Sequence, residues 1–214
     1  MATIAGLYAL TPDLLDTDEL ITRVTAAIAG GAAAVQYRNK IVSPPLRRAQ
    51  ALALRELLLP RTTILTPNST EARRLADGED DEEPSLAICA QRLIESGCGH
   101  VLITGTHEAT AQVVNTLYGK AGLVRSDSWE RLPGSYHGSG CTLASAIAAM
   151  LANGLELPEA VREAQDYTWH ALAKAYRPGM GQFLPDRLFW ARDDDAEPPV
   201  EEERASRAPN LHRH

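Results

Sequence analysis

Cysteine is scarce in this 214-residue chain: three residues, an odd number, with no C-x-x-C pair. A disulfide scaffold and a cysteine-rich zinc site are therefore disfavoured, and the expected compartment is reducing cytoplasm. Long apolar runs are absent as well. The longest, residues 143–152, is broken by Ser145 and falls far short of the ~20 residues that cross a bilayer. Residues 1–6 carry no basic segment ahead of their apolar stretch, so they do not read as a signal peptide. Basic charge is not in excess either. The formal charge is −7, which argues against unspecific nucleic-acid binding. Neither a membrane nor a nucleic acid is an expected partner.

What is present is an ordinary globular composition, with 44% hydrophobic and 23% charged residues, which excludes a fibrous or wholly disordered chain. The length suits one large domain or two small ones plus a tail. The acidic excess is concentrated at the end. Residues 193–214 hold seven Asp and Glu against three Arg, and few large apolar residues, so they read as a disordered acidic tail. A second acidic run, residues 79–83, reads as an exposed loop.

The body alternates between short apolar runs and capped helical patterns. Strands are expected at residues 4–10, 33–37, 63–65 and 100–103. Residues 113–117 and 122–124 onward read as antiparallel additions. Asp16 with Glu19 makes a capping box for a helix stopped by Gly30-Gly31. Pro44-Pro45 opens a leucine-rich helix that ends at Pro60. Asn68 starts a short helix and Pro84 another, and two more span about 140–151 and 158–176. Strands alternating with helices predict a largely parallel sheet covered on both faces.

Three motifs carry chemistry. His137-Gly138-Ser139-Gly140-Cys141-Thr142 leads glycines into a helix of small residues. Free N–H groups and the positive dipole end attract phosphate there, and a cysteine in that field suits a base or nucleophile. The competing reading is a tightly packed helix capped by Ser139. Thr66-Pro67-Asn68-Ser69-Thr70-Glu71 offers an amide and a carboxylate that could hold a hydrated Mg²⁺ near a nucleotide. The competing reading is a capping pair made by Asn68 and Glu71. Gln36-Tyr37-Arg38-Asn39-Lys40 ends a predicted strand. Its period of two puts Gln36, Arg38 and Lys40 on one side, where they suit a pyrophosphate or are simply surface groups.

From about residue 59 to 192 the chain resembles hydroxymethylpyrimidine/phosphomethylpyrimidine kinase, a ribokinase-like family of thiamine biosynthesis. The residues that carry the resemblance are Leu65-Thr66-Pro67-Asn68 with Glu71-Ala72, Val101-Leu102-Ile103-Thr104-Gly105, and above all the string from His137 to Thr142. The resemblance implies that Gly138, Ser139 and Gly140 form an anion hole and that Cys141 is the catalytic base. It also implies that Asn68 and Glu71 position the metal and that Thr104 and Gly105 bind the nucleotide. Thr104 stands where many members carry a lysine. From about residue 6 to 50 the chain instead resembles the start of thiamine phosphate synthase, through Leu7-Tyr8-Ala9-Leu10-Thr11-Pro12-Asp13 and the stretch from Gln36 to Lys40. In that family Gln36, Arg38 and Lys40 would contact a pyrimidine pyrophosphate. Two such β/α units cannot close an eight-stranded barrel, but they can extend a parallel sheet.

The expected architecture is a three-layer α/β/α sandwich with a mainly parallel sheet. It is a partial ribokinase-like fold extended by two β/α units, one domain over residues 1–192 with segments 1–58 and 59–192. The expected activity is ATP- and Mg²⁺-dependent phosphorylation of a small-molecule pyrimidine, hydroxymethylpyrimidine or its phosphate. Synthase-type transfer and a non-catalytic nucleotide-binding remnant are the alternatives. The oligomeric state stays open, a homodimer being one option.

Overall fold

The computed structural model describes residues 7–76 and 83–191. The acidic tail and most of the acidic run at 79–83 lie outside the described residues. The chain opens with β1 (Leu7–Leu10), α1 (Thr17–Ala29), β2 (Ala32–Gln36) and α2 (Pro44–Leu58). A 3₁₀ turn (Leu59–Arg61) leads to β3 (Ile64–Leu65), α3 (Ser69–Ala76), α4 (Leu86–Glu95) and β4 (His100–Thr104). The hairpin β5 (Gln112–Gly119) and β6 (Gly122–Glu130) follows, then α5 (Ser139–Ala152) and α6 (Leu157–Ala173).

The helix signals act as read. Asp16 Oδ1 accepts from the N–H groups of Asp18 and Glu19 at 2.8 and 3.0 Å. The reciprocal half of the box is not made, because Glu19 instead pairs with Arg23 one turn on. Helix α1 buries Leu20 and Val24, and Gly31 turns the chain at φ +87°, a conformation glycine adopts without strain. Pro44 sits at the start of α2, where its missing N–H costs nothing.

Strand β4 organises the larger half. Period two sends Val101 and Ile103 to one face, against Cys89, Ala90 and Leu93 of α4 and Ala72 of α3. Leu102 goes to the other face, against Leu143 and Ile147 of α5 and Val161 of α6. Helices thus cover both faces, which is the three-layer arrangement expected.

The sheet differs from expectation in two respects. The antiparallel additions expected at residues 113–117 and 122–124 onward are there, but they outweigh the parallel part, so the sheet is mixed rather than mainly parallel: β3 and β4 are parallel, while β4–β5 and β5–β6 are antiparallel. The two residues between Gly119 and Gly122 leave room only for a hairpin, whereas a parallel partner needs a crossover. It is also not one sheet. Strands β1 and β2 pair in parallel with each other, and no pairing to β3 occurs among the described residues. Strand β3 offers only two residues of ladder. The β1–β2 unit instead buries its apolar residues under its own helices, around Leu20, Val24 and Leu54. The two parts are still tied: Leu59 is buried in the α3–α4 core, and Arg55 of α2 donates to the Leu75 carbonyl of α3.

Candidate active site

Helix α5 begins at Gly138, which holds φ +86° and caps the helix with no side-chain hydrogen bond. Ser139 is therefore the first helical residue, and the reading of it as the cap is corrected. The left-handed turn at the cap explains why glycine is required at 138. With no capping side chain, the first-turn amides are left for a ligand. The space ahead of them is open: a Cβ built on Gly140 would meet nothing within 4 Å. Cys141 is exposed in the same turn.

A residue that sequence reasoning missed completes this entrance. Arg187 Nε donates to Thr142 Oγ1 at 3.1 Å, and Thr142 Oγ1 donates in turn to the Gly138 carbonyl at 2.8 Å. An Arg187 Nη2 nitrogen lies 3.1 Å from where a Gly138 Cβ would stand. The Arg187 carbonyl accepts the Tyr167 hydroxyl at 2.8 Å, which fixes this segment against α6. A guanidinium therefore flanks the helix entrance, where it adds to the dipole's attraction for an anion.

A second group of candidates meets at the carboxyl ends of the parallel pair β3–β4, the end where ligands sit in such sheets. Asn68 and Thr104 are bridged side by side, and the Thr104 N–H donates to the Pro67 carbonyl at 2.9 Å. Asn68 and Glu71 form a reciprocal cap: the Asn68 N–H donates to Glu71 Oε2 and the Glu71 N–H to Asn68 Oδ1, both at 2.9 Å. Capping thus engages the single side-chain oxygen of Asn68 and one of the two on Glu71. Thr63, Ile64 and Thr66, along β3, line one groove of about 310 Å³ with Ala144, Ile147, Ala148 and Leu151 of α5. That groove runs between β3 and the length of α5 behind its first turn.

Gly105 contributes differently from a simple phosphate donor. Its N–H is already given to Asn115 Oδ1 at 3.1 Å, and a Cβ there would come within 2.3 Å of the Val114 carbonyl oxygen. Glycine is required for this close approach. With the Thr104 N–H also committed, the group Thr104 can offer a nucleotide is its hydroxyl.

Asn115 belongs to a buried polar array behind the site. Its Nδ2 donates to Gln165 Oε1 at 2.9 Å, which also accepts from Trp129 Nε1 at 3.0 Å. Gln165 Nε2 donates to Asp127 Oδ2 at 2.9 Å, and Arg125 grips Asp127 through Nε and Nη2, both at 2.8 Å. Burial alone would push the Asp127 carboxyl up. The hydrogen bonds from Arg125 and Gln165, with the charges of Arg125 and Arg162, outweigh it and hold the carboxyl below its ordinary value. A lowered pKa gives stability that is complete above the unfolded value of about 3.9 and is lost as pH falls through the folded one. Between pH 5 and pH 3 the urea midpoint of the wild type should therefore fall more steeply than that of Asp127→Asn. Parallel slopes would show that this carboxylate is not linked to folding.

Residues 36–40 stand apart from the α5 entrance. Gln36 is the last residue of β2. The Arg38 N–H donates to Thr11 Oγ1 at 2.9 Å and the Lys40 N–H to Asp13 Oδ1 at 2.9 Å. Asn39 turns inward onto Gln50 Oε1 at 3.0 Å, which leaves Arg38 and Lys40 exposed. No hydrogen bond or ion pair among the described residues joins these two cations to α5.

Residues 40–186 match the family model described as phosphomethylpyrimidine kinase. The chain belongs to that family. It is 32% identical over 192 residues to the thiamine biosynthesis bifunctional protein ThiED of Geobacter sulfurreducens, covering 85% of this chain and 39% of that protein. It is 33% identical over 184 residues to the hydroxymethylpyrimidine/phosphomethylpyrimidine kinase of Streptomyces coelicolor, covering 82% of this chain and 66% of the relative. The chain spans about half the length of the curated relatives it matches. Among solved structures, it superimposes on a pyridoxal kinase from Staphylococcus aureus in complex with AMP-PCP. The TM-score is 0.66 at 25% identity, over 86% of this chain and 69% of the other. The fold is ribokinase-like.

These phosphomethylpyrimidine kinase relationships reach into the N-terminal units. The family match starts at residue 40, ahead of the joint expected between Gln50 and Leu59. The coverage of the pyridoxal kinase requires residues before 58 as well. These likenesses do not show a synthase-like origin for those units.

Proposed function

We propose that this chain transfers the γ-phosphoryl group of ATP to hydroxymethylpyrimidine or its phosphate, a kinase step of thiamine biosynthesis in the cytoplasm. The observation that carries this reading is the α5 entrance: an uncapped helix start behind a left-handed glycine, with open space before it and a guanidinium beside it. Membership of the phosphomethylpyrimidine kinase family supports the choice of acceptor. The free thiols of Cys89, Cys98 and Cys141 are in keeping with a reducing compartment.

In this reaction the amides of residues 138–141 and Arg187 stabilise charge on the transferring phosphoryl group. Cys141 Sγ takes the proton from the acceptor hydroxyl or phosphate as its oxygen attacks phosphorus. The Thr104 hydroxyl orients the nucleotide phosphates. Asn68 and Glu71 suit Mg²⁺ only in a hydrated form, because capping engages the single side-chain oxygen of Asn68 and one of the two on Glu71, and that is the form in which this ion is commonly held. When bound, the ion neutralises phosphate charge. No helix among the described residues is long and apolar enough to cross a membrane, which suits a small polar substrate taken from solution.

The test is a coupled ATPase assay with hydroxymethylpyrimidine phosphate. Turnover that depends on the pyrimidine supports the reading. ADP binding without turnover would replace it with a non-catalytic nucleotide-binding role. A second reading, synthase-type transfer, draws on one observation: Arg38 and Lys40 project from a backbone pinned by Thr11 and Asp13 at the carboxyl end of a parallel pair. In it Gln36, Arg38 and Lys40 hold a pyrophosphate, and formation of thiamine phosphate from thiazole phosphate is its assay.

A further inference from the structure

The loop from Gly105 to Ala111 leaves β4 directly after Thr104. It is mostly exposed, so water could satisfy its carbonyl groups. Three of them are nonetheless taken by one side chain. Arg131 Nη1 donates to Thr106 O at 2.8 Å, Nη2 to Glu108 O at 2.9 Å and Nε to Thr110 O at 3.1 Å. Arg131 is the first residue after β6, on the eight-residue connection that ends at Gly138. On the other side of the loop, Glu108 Oε1 accepts from Arg73 Nη1 at 3.0 Å, and Arg73 lies on α3 two residues past Glu71. One loop is thus tied both to the approach to α5 and to the helix that Asn68 caps and that bears Glu71.

We propose that Arg131 is a positioning residue for phosphoryl transfer, holding the loop after β4 in register with the α5 entrance. The inference rests on the kinase reading above. The three carbonyl groups do not need Arg131 for their own satisfaction, so what the bonds supply is placement. Only a guanidinium can do this, because its planar fork sends several N–H groups in fixed directions, whereas an ammonium is a single point charge on a flexible stem. Placement matters because phosphoryl transfer depends on alignment between a donor held at Thr104 and charge stabilisation at residues 138–141. A shift of about 1 Å in such a site can cost about 10²-fold in rate.

The test is Arg131→Lys, read in two ways. In steady state with ATP and hydroxymethylpyrimidine phosphate, kcat per folded molecule should fall about 10²-fold. KM for ATP should rise, KM for the pyrimidine should stay, and the melting temperature should change little. In the protein without ligands, amide exchange at Glu108, Thr110 and His137 should accelerate together. The first two amides are bonded within the loop, to Gly105 O and Glu108 O, and the His137 amide leaves the connection to bond Phe183 O. An unchanged kcat per folded molecule overturns the proposal. So does faster exchange in the loop with His137 at its wild-type rate, because the two segments would then not be coupled. If the wild type itself shows no turnover, the kinase reading fails, and the exchange pattern alone decides whether Arg131 couples the two segments.

Discussion

Replacing Cys141 with alanine is expected to lower turnover by ~10²–10⁴-fold while leaving ADP affinity close to wild type. A general base acts on a proton that moves only in the transition state, so its loss appears in kcat rather than in ground-state binding. The site is built so that this separation can be seen. Cys141 is exposed in the first turn of α5, so removing its thiol opens no cavity in the core. The elements proposed to bind the anion, the backbone amides and Arg187, do not depend on its side chain. The other two cysteines serve as a contrast. Cys89 and Cys98 are fully buried, and burial pushes both thiols up, which keeps them protonated and inert. Cys98→Ala should therefore lower the melting temperature and leave kcat per folded molecule intact. The paired measurement is steady-state phosphorylation and ADP calorimetry on both variants. Equal rates for wild type and Cys141→Ala would remove the thiol from the mechanism.

What could be read in the sequence was local. Asp16, Pro44 and the glycines after α1 mark helix ends by short-range chemistry, and the structure places the ends there. The continuous apolar run Val101-Leu102-Ile103 correctly marked a buried strand, and the structure buries it on both faces. The misses were all non-local. Whether β2 joins β3 depends on how much ladder β3 can offer, and its two residues do not announce that in composition. The conformation of Gly138, and hence the failure of Ser139 to cap, is set by how the chain arrives from β6. Arg187 reaches Thr142 across 45 positions, and Arg131 reaches Glu108 across 23. No periodicity carries such contacts. A faint clue was the turn from Arg177 to Gly181, closed by Arg177 onto the carbonyls of Met180 and Gly181, which returns the chain toward the site. For Asn68 and Glu71 the capping pattern was legible, and the structure makes that cap. A metal role there is compatible with the cap but is not displayed by it.

Replacing Gly140 with valine is expected to abolish the rise in melting temperature that phosphate or ADP gives the wild type. Ligand at 100 times its dissociation constant stabilises the folded state by about 2.7 kcal/mol, so the wild-type response is readily measured. The two glycines of the entrance divide the labour. Gly138 carries the left-handed turn, and a Cβ there would strain the backbone and press on Arg187 at 3.1 Å. A substitution at 138 therefore confounds folding with binding. Gly140 lies inside the helix without a positive φ, and its missing Cβ faces open space. Valine at 140 should fold, with only a modest helix-propensity effect, since glycine is itself a poor helix residue. Its methyl groups then occupy the volume that a phosphate needs to reach the first-turn amides. The measurement is a thermal melt of both proteins with and without phosphate, and again with ADP. Loss of both shifts, with the unliganded melting temperature preserved, places the anion at this helix start. A full phosphate shift in Gly140→Val would show that the anion binds elsewhere, and the site argued from residues 138–141 would fall with it.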